Sequence, residues 1–519
     1  MIEHLYFDDM WEGEVVLRDR YQLELKSLYS PLSGKEANDY SLEFYFFIPT
    51  ALQINNHSYT RQQFYSDLTS LIRFKTPVFT PRELINTENP RSPISRIRSM
   101  LEKRHAFTDE IDRELKLLGN ILRSTVRNYV RKYIEALSDK RHPHPAGELA
   151  AEIGSFLLDM KILCAKLREF FEFLTSGSLG EECVKHTRYV DEFFSITVEQ
   201  YLTTLLSDIR GHPAPEFDDI DHKLRLLISN EIAYRTTQDY TSKLSRDQDR
   251  NREARTYRTG LLSKFVMDVL LLRVDRRELI SKAQHIIGSF AAGVAMFFYL
   301  LLFAWQGNVF VINSMPFIIL TTFIYVLKDR MKDILKSFSA KMATEFYPDF
   351  STSIRTPKGD SQIGSLTESF AFMRESELPD EVRRTRLLGT TREVPEAKRL
   401  QNIIYYRRRV KLNTQRLVAG KRRFELNDIF RFNISRFLRK ASDPIENHLV
   451  MDVQTGALMH VGYPKVYHIN LILRQQYTGR DGLHHVDLKK IRLVVDKDGI
   501  LRIERLDEDG NIVPDGVIQ

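Results

Sequence analysis

The feature that most constrains the fold is an uncharged stretch over residues 286–327, which contains no Asp, Glu, Lys or Arg. As helices, residues 286–305 and 309–327 each supply about twenty residues, enough to cross a hydrocarbon core about 30 Å thick. Gln306, Gly307 and Asn308 between them are typical of a tight turn. Core helices of soluble proteins usually carry a polar stripe and seldom stay uncharged for so long. The sequence therefore predicts a two-helix transmembrane hairpin.

Basic residues flank this stretch on both sides. They are Arg273, Arg276, Arg277 and Lys282 before it, and Lys328, Arg330, Lys332 and Lys336 after it. Since basic flanks favour the cytoplasmic side, we expect a multi-pass protein with both termini cytoplasmic, in a bacterial inner membrane. The N-terminus carries acidic residues where a secretory signal needs basic ones, so no cleaved targeting segment is expected.

Cysteine usage is consistent with a reducing compartment. The chain of 519 residues holds two cysteines, Cys164 and Cys183, each more typical of a small buried residue than of a disulfide. This number is too small for a metal site built on thiolates.

The changes in pattern along the chain predict a membrane-anchored α+β protein of five segments. These are an N-terminal α+β segment (1–107), a cytoplasmic helical bundle (108–283), the transmembrane hairpin (284–330), a juxtamembrane helix and linker (331–379), and a basic β-rich C-terminal domain (380–519).

Local signals predict individual elements within the N-terminal half. Period-two alternation over residues 15–25 and 42–48 favours two strands, which we expect to pair with each other. Thr60 and Thr80 begin capping-box patterns that open helices. Helical periodicity then continues past Thr108 through several amphipathic runs, typical of an antiparallel bundle. We also expect residues 261–305 to form one nearly continuous helix.

The C-terminal half shows strand signals of its own. Residues 351–379, with Ser, Thr, Gly and Pro punctuation, indicate a linker or a long loop. Alternation over 467–473 predicts a strand, and Asp496 to Gly499 between apolar runs predicts a hairpin, so the sequence indicates a small antiparallel domain.

A basic block over residues 383–440 is the strongest functional signal, because its positive excess exceeds the net charge of +7 of the whole chain. Interleaved aromatic residues suit phosphate contacts with base stacking, and the same charges suit anionic lipid. A solvated or internally paired sheet face is the third interpretation. The phosphate- or lipid-binding candidates are Arg407, Arg408, Arg409, Lys421, Arg422 and Arg423.

Two weaker patterns remain. Histidines of the C-terminal region give His468 and His484 as weak metal candidates, although no ligand spacing of a known kind accompanies them and we predict no metal. The first membrane segment carries small residues four apart, which permit close helix contact within one chain or in a homo-oligomer. The transmembrane packing candidates are Gly288, Ala292, Ser289, Gly293 and Asn313.

The sequence contains no nucleotide-binding or nucleophile motif, so a non-enzymatic function is favoured and no cofactor is expected. The first hypothesis is a membrane-anchored, cytoplasm-facing binding, scaffold or sensor protein with a basic surface for anionic lipid or phosphate ligands. A membrane-tethered enzyme for a nucleotide or another phosphorylated substrate is the second. An oligomeric pore gated by the bundle is the third. The expected partners are the lipid bilayer, a second copy of the chain, nucleic acid or a phosphorylated ligand, and an unidentified protein.

Overall fold

A computed structural model describes most of the chain. The described residues are 15–29, 37–104, 108–138, 144–176, 179–212, 214–240, 248–309, 311, 314–346, 348–358, 361–388, 400–418, 425–451, 456–478, 482–506 and 512–518. The chain divides into a sheet unit, Met1–Arg73 with Leu272–Gln519, and a helical unit, Phe74–Leu271.

The strands, in chain order, are β1 (Val15–Asp19), β2 (Gln22–Tyr29), β3 (Ala37–Pro49), β4 (Leu68–Phe74), β5 (Arg273–Glu278), β6 (Phe350–Arg355), β7 (Gln362–Met373), β8 (Gln401–Asn413), β9 (Leu426–Asn433), β10 (Ile445–Met451), β11 (Leu458–Pro464), β12 (Tyr467–Thr478), β13 (His484–Asp496), β14 (Gly499–Leu506) and β15 (Ile512–Ile518).

The helices are α1 (Arg61–Asp67), α2 (Pro81–Ile85), α3 (Pro93–Arg104), α4 (Asp109–Ser138), α5 (Ala146–Ser176), α6 (Glu181–Arg210), α7 (Asp218–Thr237), α8 (Gln248–Met267), α9 (Ile280–Val309), α10 (Met315–Phe346), α11 (Asp380–Leu387) and α12 (Thr414–Val418).

Two stacked sheets form the core of the sheet unit. The larger has nine strands in the order β15-β14-β13-β12-β3-β8-β7-β6-β5, the smaller has four in the order β1-β2-β9-β4, and β10 and β11 form a separate ribbon. Alternate residues of β3 and β9 fill the space between the sheets, where the Phe44 and Phe430 rings lie 4.3 Å apart and Phe46 and Phe432 lie 5.2 Å apart.

The predicted pairing of the two N-terminal strands is wrong. Residues 15–25 fold into the β1–β2 hairpin of the small sheet, whereas β3 lies in the large sheet between β12 and β8. Both faces of β3 are buried, because Phe44 and Phe46 point into the core while Tyr45 and Phe47 belong to a second cluster beneath α11. A central position in the large sheet therefore suits β3.

Several local predictions are confirmed. Thr60 and Thr80 cap α1 and α2 with capping boxes, and Asp496 pairs with Gly499 at the β13–β14 turn. The helical unit contains α4, α5, α6 and α7 in the predicted order, with apolar faces buried against each other.

Two predictions about connections are wrong. The nearly continuous helix over 261–305 does not form: α8 ends at Met267, and β5 intervenes before α9 begins. Residues 351–379 are not a loop, since β6 and β7 pair there with the edge of the large sheet. Polar Ser and Thr alternate with buried residues such as Leu366 and Phe370, and this alternation is the period of a half-exposed strand.

The two-helix transmembrane hairpin is also wrong. One described helical stretch, Gly288–Val309, is long and apolar enough to cross a membrane. α10 does not qualify because its uncharged part is too short. The helix starts only at Met315, after Ser314, whose hydroxyl accepts a hydrogen bond from Phe317 N. Lys328 then follows after about 13 residues, or about 20 Å of helix. Two crossings are therefore not supported, and neither is multi-pass localisation. The α+β architecture itself, with N-terminal strands, helical bundle and C-terminal antiparallel sheets, stands.

Candidate functional site

The antiparallel pair α9 and α10 exposes apolar side chains over most of its surface. Within the candidate span of α9, 11% of the residues are buried, and Phe290 of α9 and Phe323 of α10 are 75% and 65% exposed. A core helix of a soluble domain would be mostly buried instead. The pair therefore presents an extended apolar surface that the described chain does not cover.

Polar groups join the two helices near their connection. The predicted turn at Gln306 is helical, and the buried Gln306 amide donates to Phe317 O at 2.6 Å and to Thr321 Oγ1 at 2.8 Å. Further along the pair, Lys328 Nζ lies 3.9 Å from the Tyr325 ring centre and 5.6 Å from that of Tyr299. The contacts with Phe317 and Thr321 pair the Gln306 amide nitrogen, whereas its buried Oε1 has no hydrogen-bond partner among the described residues.

Within one chain, the small residues of α9 singled out in the sequence do not form the seam with α10, and their contact in a homo-oligomer stays a prediction. Ala291 and Ala295 are buried there, whereas Ser289, Ala292 and Gly293 are exposed and Gly288 is half-buried. A methyl group added at Gly288 or Gly293 would meet no atom within 4 Å. Asn313 lies outside the described residues.

Alternation along β8 places neighbouring arginines of the basic block on opposite faces of the strand. Arg408 points between the two sheets, is 0% exposed, and donates from Nη2 to Asp428 Oδ1 at 2.9 Å and to Ser70 Oγ at 2.7 Å. Tyr29 donates to the other Asp428 oxygen at 2.8 Å. Burial raises the pKa of Asp428, and the Arg408 guanidinium opposes that shift. Arg408 is therefore a core ion-pair residue and not a surface cation.

Other arginines of the block are also paired. Arg431 binds Glu24 at 2.5 Å, Arg436 binds Asp67 at 2.7 Å, and Arg386 binds Glu375 at 2.8 Å. Much of the positive excess is thus matched by acidic residues from other parts of the sequence. Lys421, Arg422 and Arg423 lie outside the described residues.

Arg407 and Arg409 lie on the opposite side of β8 from Arg408, on what we call the outer face, the side of the large sheet turned away from the small sheet. Neither makes an ion pair with any residue that the structure describes. One register row across this face runs through Arg277, Ser351, Thr367, Arg409, Ser41 and Gln476. Hydroxyl groups therefore flank the exposed Arg409 guanidinium on both neighbouring strands.

A cavity of about 370 Å³ lies at Arg409. Its lining comes from the start of β3, the ends of β8 and β12, and the start of β13, and includes Asp39, Ser41, Arg409, Lys411, Gln476 and His484. The nearest carboxylate pairing is weak, because Lys411 Nζ is 3.8 Å from Asp39 and both side chains are largely exposed. A cavity with these donors suits an anion.

The histidines do not converge. His468 and His484 lie at opposite ends of the β12–β13 pair, about ten residues or about 33 Å apart. Within the described ranges, no three His, Cys, Asp or Glu side chains are placed to hold a metal ion.

The sequence did not reveal a second polar cavity, of about 490 Å³, between α5, α6 and α7 of the helical unit. Its wall holds Asp191, which accepts from the Tyr234 hydroxyl at 2.6 Å and the Tyr240 hydroxyl at 2.7 Å. The Arg168 guanidinium stacks 3.8 Å from the Tyr234 ring centre and pairs with Glu231. These residues are spread over three helices and the turn that follows α7 without a common motif, so periodicity alone gave no signal.

No protein-family model, curated protein or solved structure matches the chain. The functional argument therefore depends on the residues of this structure.

Proposed function

We propose that the protein is a membrane-anchored binding protein that inserts α9 and α10 into a bilayer from one side and carries a basic sheet surface for anionic ligands. The observation that carries this proposal is the exposed apolar surface of the pair beyond Tyr299 on α9 and before Lys328 on α10, whose large side chains need a non-aqueous environment.

The strands that precede α9 and follow α10 support insertion from one side of the bilayer. β5 leads into α9, β6 follows α10, and these two strands are antiparallel neighbours from Arg273–Arg355 to Glu278–Phe350. A single crossing would put β5 and β6 on opposite sides of the bilayer and would break this sheet. Both ends of the pair therefore belong on the same side.

The depth of insertion follows from Lys328. Its ammonium group lies beside Tyr299 and Tyr325, the arrangement of aromatic and basic residues found at membrane interfaces. Below that level, α9 has about ten residues and α10 about 13, which reach about 15 to 20 Å. That is less than the hydrocarbon thickness of about 30 Å. The end of α9 at Val309 and the start of α10 at Met315 then lie inside the bilayer.

The basic flanks favour the cytoplasmic surface. Arg330 and Lys332 follow Lys328 on α10, and Arg273 and Arg277 lie on β5. Lysine and arginine are enriched on that side of membrane segments. The two cysteines are both free and buried, as in proteins of reducing compartments.

Flotation with neutral phosphatidylcholine vesicles tests the insertion. We expect the full chain to float with the vesicles, and the F303K/F323K double variant, which alters two exposed positions of the inserted part of α9 and α10, to remain in the soluble fraction. The matched control, L158K/F173K, alters two exposed apolar positions of α5 and should float like the unaltered chain. Equal flotation of all three proteins contradicts insertion through α9 and α10.

Tryptophan quenching tests the depth. In a Trp11→Phe variant, Trp305 is the single tryptophan and lies about 9 Å below the level of Tyr299. We expect spin labels on lipid acyl chains to quench it more strongly than spin labels on headgroups. Stronger quenching by headgroup labels contradicts the proposed depth.

A further inference from the structure

The outer-face cavity differs from a general basic surface in holding a defined set of donors. We propose that it binds the phosphate group of a small soluble molecule, with Arg409 and Lys411 as the cationic contacts. This inference rests on the proposed binding function and names the ligand class of that surface.

Charge is the first argument. Arg409 has no ion-pair partner in the described part of the chain, and Lys411 has only the loose contact with Asp39. In the next outer-face register row, Arg474 is already paired with Glu43 at 3.1 Å and Glu381 at 3.2 Å. Arg409 and Lys411 lie two residues apart on one face of β8, about 7 Å along the strand, so both long side chains can reach one phosphate group.

The second argument is an unused hydroxyl. Ser41 lies directly opposite Arg409 on β3 and lines the cavity. Its Oγ is shielded from solvent and has no hydrogen-bond partner among the described residues. Shielded polar groups are usually paired in folded proteins, so an acceptor placed beside Arg409 would satisfy the hydroxyl at the same time.

Position distinguishes a soluble ligand from a lipid headgroup. The cavity is lined at the strand ends that align with the start of β5, around Asn38 and Thr478. α9 leaves from the other end of β5, after Glu278. Along the strands, Arg409 is level with Arg277 of β5, but it lies three strands, or about 14 Å, across the sheet from β5 and the start of α9. Its volume of about 370 Å³ is within the range of small-molecule sites.

Calorimetric titration with inorganic pyrophosphate tests the site in the full chain, solubilised in an uncharged detergent. We expect saturable binding that weakens at least tenfold in Arg409→Gln and in Lys411→Gln. The matched control, Lys497→Gln, removes a paired cation in the turn between β13 and β14 and should bind within twofold of the unaltered chain. Absence of binding, or equal binding by Arg409→Gln, overturns the proposal.

A second arm separates the two sources of phosphate. Vesicles containing phosphatidylglycerol should bind the unaltered chain and Arg409→Gln equally, because the site takes a soluble ligand. The contrary result is that Arg409→Gln no longer prefers phosphatidylglycerol vesicles to neutral ones and that pyrophosphate does not bind to the unaltered chain. In that case the ligand would be a headgroup and the proposal would be wrong. Neutral-vesicle flotation reports insertion independently, so either proposal can fail while the other stands.

Discussion

Arg408 offers the sharpest test of how the basic block is divided between core and surface. Replacing it with Met leaves the buried Asp428 with the Tyr29 hydroxyl and without a cation. Removing one partner of a buried ion pair typically costs about 3 to 5 kcal/mol. The exposed neighbour Arg409 lacks any such partner, so Arg409→Met should change stability by about 0.5 kcal/mol or less.

Hydrogen exchange measured by mass spectrometry can read this difference locally. At about 1.36 kcal/mol per tenfold change, a loss of 3 kcal/mol should speed exchange of the β8 and β9 amides about 150-fold in Arg408→Met. The double variant R408M/D428L should recover much of the loss. Two further guanidinium atoms of Arg408, Nε and Nη1, have no partner in the described structure, so the native pair is itself incompletely satisfied.

The penalty should also depend on pH. Burial holds the folded-state pKa of Asp428 above its ordinary value of 3.8, and loss of Arg408 raises it further. A folded state that binds the proton more tightly than the unfolded chain loses stability as pH rises from about 4 through the raised pKa. The Arg408→Met penalty should therefore be smaller at pH 5 than at pH 7.5, after correction for intrinsic exchange rates. Slow exchange in Arg408→Met with fast exchange in Arg409→Met would refute the assignment.

Two other predictions concern single positions. Gly499 has φ +138° and an added methyl would lie 2.4 Å from Arg20 O, so Gly499→Ala should destabilise the β13–β14 hairpin by about 1 to 3 kcal/mol. Hydrogen exchange of the hairpin amides measures this loss of stability. The control is Gly482→Ala, where φ is +80° and an added methyl meets open space, so that only the backbone conformation is strained. Equal effects of the two substitutions would contradict a clash with Arg20 O. In the helical unit, burial raises the pKa of Asp191, so stability should fall as pH rises above the ordinary carboxyl range. Asp191→Asn should reduce the pH dependence of stability measured by hydrogen exchange of the α6 amides. An unchanged pH dependence in this variant would contradict the role given to Asp191.

Local chemistry was readable from the sequence because it depends on neighbouring residues. The capping boxes at Thr60 and Thr80 need a hydroxyl and a side-chain carbonyl three residues apart, and both form. The Asp496–Gly499 turn needs glycine at a positive φ, and it forms as well. The strands β6 and β7 were missed because hydroxyl residues on the outer face of a sheet have the composition of a loop.

The candidate site was predicted only in part. The sequence marked Arg407, Arg408 and Arg409 as equivalent cations, whereas strand alternation in β8 directs the middle one into the core. Ser41 and Asp39 reach the cavity because β3 pairs with β8 across more than three hundred residues of sequence. No local pattern specifies such a pairing.

The sequence by itself determined that an uncharged apolar stretch follows residue 285 and that strands and helices occur in separate regions, because composition and periodicity are properties of the chain. Only the tertiary structure decided how far that stretch is helical, since the start of α10 depends on Ser314 and on the contacts of Gln306 with Phe317 and Thr321. It also decided that β5 and β6 lie side by side. Hydrogen bonds between distant strands fix both ends of the apolar pair to one sheet, and no single segment of sequence contains that information.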